Sequence, residues 1–200
     1  LEKHQRPDGT NFTSQHRPEL YQQLVLTSKT PALETLKSQI PETVNVALFA
    51  TYKSNEQAIE DVCYYIENNL SDIIQLPELF FLSDKTIANN AIQRVELEAL
   101  CQIMITKVSA VLRPFQYVCT SLVINGSHQA VLINENGIFA IQQQLHFCNR
   151  YQWTSLGNSL NIIALPLEQG FINIAMLTAD DANIPELSNI AALNKVNALL

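Results

Sequence analysis

The stretch Ser71-Asp72-Ile73-Ile74-Gln75-Leu76-Pro77-Glu78-Leu79-Phe80-Phe81 decides how the chain is read. Its apolar run is too short for a helix and too continuous for an exposed strand. It reads as a buried strand of the parallel type, ended by proline. Glu78 stands just past that end and is followed at once by Leu79, Phe80 and Phe81. In α/β proteins the carboxyl ends of buried strands are where ligands and chemistry are placed. Desolvation among aromatics suits a carboxylate there to base work. The alternative is a strand-end glutamate turned to solvent or paired with a lysine.

Upstream, residues 44–50 (Val-Asn-Val-Ala-Leu-Phe-Ala) give a second buried strand, rich in β-branched and aromatic side chains. Between the two, Ser54 with Gln57 forms a capping-box pattern that opens a helix to about Leu70. Ala58, Ile59, Val62, Tyr65 and Ile66 would face inward. Strand, helix, strand in so short a span is a βαβ unit, which implies parallel pairing and a right-handed crossover.

Downstream, the pattern predicts a long helix over 84–112, stopped by Arg113-Pro114. Strands follow over 116–124, 129–134 and 138–147, with Asn125-Gly126 and Asn136-Gly137 as hairpin turns. Two more, over 161–165 and 171–177, flank a turn at Glu168-Gln169-Gly170, and Pro185 starts a last helix, 186–193. Residues 1–43 hold too few apolar side chains for a core. Within them, an arm from Pro18 to Val25 carries Leu20, Tyr21 and Leu24, and a short helix is expected over 32–40. This part is a linker or docking arm. The chain opens on Leu1, not Met, and closes on Val196-Asn197-Ala198-Leu199-Leu200, so a fragment or processed product is expected.

Of the 200 residues, 47% are hydrophobic and 16% charged, with a net charge of −7. Charge is well below the usual quarter, so most segments are buried. With no Lys/Arg cluster, nucleic acid and anionic membranes are disfavoured as partners. Cys63, Cys101, Cys119 and Cys148 lie in apolar segments without a CxxC pair, as reduced core thiols do. With no signal peptide and no run of eighteen apolar residues, a cytoplasmic protein is expected. Nothing in the spacing of His128, His146, Asp180 and Asp181 selects a metal site, and no cofactor is expected.

The ordered set of local matches over 44–200 resembles the nitrilase (carbon–nitrogen hydrolase) superfamily. Leu76-Pro77-Glu78-Leu79-Phe80 is similar to the motif that holds the family's general base. Ala130-Val131-Leu132-Ile133 with Asn136-Gly137 resembles the strand and turn before its lysine motif, and Leu145-His146-Phe147 resembles that motif's end. Trp153-Thr154-Ser155-Leu156-Gly157 is similar to its aromatic-x-x-Pro-Gly segment, with Leu156 in the proline's place. Residues 173–181 followed by Ile184-Pro185-Glu186 resemble the strand of the nucleophilic cysteine and its Phe-Pro-Glu tail. The resemblance implies a four-layer αββα sandwich, shortened or cut at its carboxyl end.

It also implies a mechanism with a thiolate nucleophile, a carboxylate that takes its proton and a lysine that stabilises the oxyanion. Glu78 matches the base. The lysine position holds Gln144, the cysteine position Ala179, and the place of a second family glutamate Arg150. Phe80, Phe81, His146, Arg150 and Asp180 are the expected pocket residues. Arg17-Pro18-Glu19-Leu20-Tyr21 resembles a segment near the carboxyl end of many nitrilase-family domains, which implies that residues 1–25 are the tail of an upstream copy; the alternative is a surface tail. Three functions follow from this set. The first is a non-catalytic domain in the assembly or regulation of such a hydrolase, as a homo-oligomer or docked on the upstream copy. The second is a hydrolase using a displaced nucleophile, Cys148. The third is a module that binds a small amine or amide through Glu78.

Overall fold

Three short runs set the topology. β1 (Val46–Leu48) pairs in parallel with β2 (Ile73–Gln75), and β2 pairs in parallel with β3 (Tyr117–Ile124). The computed structural model describes residues 17–27, 40–50, 56–82, 91–147 and 153–200. Residues 32–39 of the helix expected over 32–40, the Ser54 cap, and Cys148 and Arg150 lie outside them, and Ile40 is not helical. α1 (Pro18–Thr27) precedes β1, α2 (Glu56–Asn68) joins β1 to β2, and α3 (Ala91–Val111) joins β2 to β3. The βαβ reading of the opening stretch is what the chain forms.

Antiparallel pairs complete the first sheet. β3 runs into β4 (Ser127–Asn134) through Asn125-Gly126, whose φ angles of 50° and 69° are those of a primed two-residue turn. The Glu98 carboxylate from α3 accepts both N–H groups of that turn, at 2.5 and 3.3 Å. β4 then pairs with β5 (Gly137–Gln143). Here the turn residues are Glu135 and Asn136, and Gly137, at φ 107°, already opens the strand. The shift has a cause: the register slips between Leu132 and Ile133, an irregularity that a left-handed glycine next to the turn accommodates. β5 also stops at Gln143, four residues before the end expected from the sequence, because 144–147 turn away toward the second sheet.

That second sheet, among the described residues, has the order β6 (Ile162–Leu167), β7 (Gly170–Ala175), β8 (Ala198–Leu199), with β6/β7 antiparallel and β7/β8 parallel. A single 3₁₀ turn (Asp181–Asn183) and α4 (Pro185–Leu193) lie between β7 and β8. α4 begins with proline at its first turn, where the missing N–H costs nothing.

Alternation along the strands distributes the side chains among three apolar layers. Val118, Leu122, Val131 and Ile133 pack with Ile66, Leu97, Met104 and Val108 beneath α2 and α3. Tyr117, Cys119, Ala130 and Leu132 meet Leu165, Ile172, Ile174 and Met176 between the sheets. Ala175 and Leu177 turn to the far side, against Leu187, Ile190 and Ala191 of α4 and Leu20 and Leu24 of α1. This is the four-layer αββα sandwich. No described helix is long and apolar enough to cross a membrane.

Burial pushes the thiols of Cys101 and Cys119 from 9.0 up to about 12, and the phenol of Tyr117 from 10.0 up to about 12. The folded state binds these protons longer than the unfolded chain does. Their contribution to stability is therefore complete below about pH 8.5 and is lost as pH rises through about 12. The urea midpoint should fall between pH 8 and pH 11, and less so in Cys119→Ala. Iodoacetamide should label Cys101 and Cys119 no faster than the chain unfolds.

Candidate functional site

β2 leaves its ladder at Gln75 but follows β3 for another step. Leu76 N–H donates to Cys119 O at 2.9 Å and Leu79 N–H to Ser121 O at 3.1 Å, while Thr120 Oγ1 donates to Pro77 O at 2.9 Å. Three steps along this segment match two along β3, so one residue is extra and the backbone must bulge. Pro77 brings no N–H to the gap. Leu79 takes φ 45° with its side chain 1% exposed in the core, a strained backbone held by packing. Glu78 sits on this bulge, buried, and its Oε1 lies 4.0 Å from His128 Nε2.

His128 belongs to β4 and is 0% exposed. Its Nδ1 meets Gln144 Oε1 at 2.8 Å, and because an amide oxygen only accepts, Nδ1 carries the proton. Its Nε2 lies 2.9 Å from the Ser121 hydroxyl. Gln144 completes its own valence by donating from Nε2 to His146 O at 2.5 Å. The His128 N–H is taken by Thr154 Oγ1 at 2.9 Å. Glu78, Ser121, His128 and Gln144 thus form one buried polar cluster at the carboxyl end of β2.

A second cluster begins one residue further on. Asp181 is 0% exposed, and its Oδ2 accepts from Leu145 N–H at 2.8 Å and Thr178 Oγ1 at 3.0 Å. Its Oδ1 accepts from His146 Nδ1 at 2.8 Å, which leaves His146 Nε2 as the acceptor for the Tyr21 hydroxyl at 2.8 Å. Burial raises the Tyr21 phenol, which keeps it a donor. Arg17 reaches the Leu145 carbonyl, and also the Gly157 carbonyl at 3.2 Å and Asn158 Oδ1 at 3.1 Å.

The carbon–nitrogen hydrolase from Helicobacter pylori G27 superposes with a TM-score of 0.60 at 18% identity, over 78% of this chain and 58% of that one. An amidase from Nesterenkonia sp. gives 0.62 at 14% identity, over 85% and 66%. The chain has the carbon–nitrogen hydrolase fold. The glutamine-dependent NAD+ synthetase from Acinetobacter baumannii shares it, with a TM-score of 0.60 at 15% identity over 78% of this chain and 31% of that one. The chain spans less than two thirds of the length of each of these proteins. No family model and no curated protein matches the sequence.

On this nitrilase fold the candidate residues fall into separate places. Glu78 and Gln144 belong to the first cluster, bridged by His128. His146 is buried but serves Asp181 and Tyr21. Asp180 is 2% exposed, beside Asp181, whereas Ala179 is exposed at the turn after β7. Phe80 and Phe81 lie edge to face with centroids 5.3 Å apart, in the core beneath α2 and α3. Sequence reasoning missed His128 as the neighbour of Glu78, and Ser121 as the partner of His128. His128 stands two residues before Ala130 on the same strand and so shares its face, which is turned to the second sheet. Among the described residues no three His, Cys, Asp or Glu side chains gather as a metal site.

Asp181→Ala should destabilise the chain by about 3–5 kcal/mol, because it leaves three buried donors without their acceptor. Asp181→Asn should cost less, since one oxygen remains. Urea denaturation measures both, and a loss under about 1 kcal/mol for the alanine variant would remove Asp181 from this role.

Proposed function

We propose that this chain is a nitrilase-fold domain without thiolate chemistry, acting in the assembly or regulation of a carbon–nitrogen hydrolase of the amidase or nitrilase type. The observation that carries this reading is the state of two positions. Where the resemblance puts the oxyanion-stabilising lysine, Gln144 is a neutral amide held at both ends, by His128 Nδ1 and by the His146 carbonyl. Where it puts the nucleophile, Ala179 offers a methyl group. One structure of the Nesterenkonia amidase shows acrylamide added at its active-site cysteine, and that is the chemistry this chain gives up. Losing a nucleophile from such a unit costs many powers of ten in rate.

The assembly half of the proposal draws on exposed apolar side chains. Val46 and Leu48 on the edge strand β1, Tyr64 on α2 and Val95 and Ile103 on α3 are all exposed. Such side chains on helices and a sheet edge suit contact with another folded surface. A second reading, a module that binds a small amine or amide, is supported by the buried carboxylate of Glu78 at a strand end.

The purified chain should release no ammonia from a panel of aliphatic and aromatic amides and nitriles, and Glu78→Gln should change nothing. Turnover that Glu78→Gln abolishes overturns the proposal. A thermal-shift screen over small amines and amides separates the readings. A rise in Tm that Glu78→Gln removes favours the binding module, because only a ligand of the native state stabilises it.

A further inference from the structure

α1 lies in a groove floored by Leu145, Leu160, Leu177, Ile184, Leu187 and Ile190. It meets that groove with one face. Arg17, Leu20, Tyr21 and Leu24 follow the spacing i, i+3, i+4, i+7, with Leu20 at 4% and Leu24 at 0% exposure, while Pro18, Glu19, Gln22, Gln23 and Val25 are exposed. A ten-residue helix is too short to persist alone in water, so unseated it would lose its structure. The rim supplies what the face needs. Two backbone carbonyls and an amide oxygen receive Arg17, and His146 Nε2 receives the Tyr21 hydroxyl. A short amphipathic helix with apolar anchors and a polar lock is the form in which proteins take up helical peptides.

The seat is wired to the turn after β7. Tyr21 donates to His146, His146 donates to Asp181, and Asp181 also holds Leu145 N–H and the Thr178 hydroxyl. Ala179 lies between Thr178 and Asp181 in sequence, and Gln144 directly precedes Leu145. We propose that this groove is a docking site for a helix carrying arginine, leucine, tyrosine and leucine at that spacing. Its occupant is residues 17–27 of the same chain, and seating of this helix sets the conformation of 145–146 and of the turn 178–181. The inference does not depend on whether the domain is catalytic. It concerns an exchangeable contact.

The test keeps the whole chain. A specific protease site is placed within residues 28–39, the folded protein is cut, and a fluorescent peptide of residues 16–28 is added. The N-terminal piece should leave and the peptide should take its place, with saturable anisotropy. A Tyr21→Phe peptide should bind about tenfold more weakly, as one lost hydrogen bond requires, and a Leu24→Asp peptide should not bind. Displacement by the Tyr21→Phe peptide should shift the NMR signals of the His146 ring and lower hydrogen-exchange protection at Leu145 and 178–181. In the uncut chain, Tyr21→Phe should move the same His146 signals while leaving the secondary structure unchanged. Retention of the N-terminal piece until global unfolding would overturn the proposal. So would exchange that leaves His146 and 178–181 unaltered, or a dimer held by reciprocally exchanged α1 helices.

Discussion

The carboxylate of Asp181 is the constraint on which this end of the molecule turns. It is fully buried, and it binds across two sheets: Leu145 and His146 extend from β5 of the first, and Thr178 follows β7 of the second. A buried anion is tolerated only when its lone pairs are met by donors. Here an amide N–H, a hydroxyl and an imidazole N–H meet them. Apolar packing between the sheets is non-directional and would allow small slides. Hydrogen bonds to one carboxylate do not, so Asp181 fixes how the ends of β5 and β7 stand to each other.

The same constraint explains the break in β5. A strand continuing to Phe147 would carry Leu145 along the ladder. Instead 144–146 turn inward, Leu145 N–H goes to Asp181, and Gly157 N–H caps the Gln144 carbonyl at 2.8 Å. With the turn made, Gln144 enters the space between the sheets beside His128. The candidate site is thus assembled by two irregularities: the bulge that carries Glu78 past the end of β2, and the early end of β5.

Those irregularities also mark what the sequence could reveal. Buried strands are continuous apolar runs and βαβ units have a characteristic length, so the opening strand, the existence of its partner and the helix between them were legible; the partner was expected to be buried, but β1 is the edge strand, with Val46 and Leu48 exposed. Asn125-Gly126 was legible because a primed turn needs positive φ at both residues, and both have it. Asn136-Gly137 misled by one residue, since the glycine serves a strained strand start and not the turn itself. Phe80 and Phe81 come two and three residues after Glu78, and that nearness suggested a ring around the carboxylate. The left-handed turn at Leu79 sends them instead into the helix-side core. His128 was hidden because β4 is buried on both faces, and such a strand shows no alternation to betray a polar position. The seat of α1 is a tertiary contact between segments more than a hundred residues apart, which no local pattern reports.

Gln144 and His128 are best understood as a matched pair. The amide at 144 must accept from one neighbour and donate to another, because His128 presents a proton at Nδ1 and the His146 carbonyl presents a lone pair. A lysine at 144 has donors only. It would require the proton of His128 to move to Nε2, where it would point at Ser121 Oγ and, 4.0 Å away, at the Glu78 carboxylate. In that state Ser121 could no longer donate to the ring, and the imidazole N–H would compete with any other proton donor for Glu78. Histidine at 128 and glutamine at 144 therefore satisfy each other, and a lysine placed alone into this network would displace the Nδ1 proton of its direct neighbour His128.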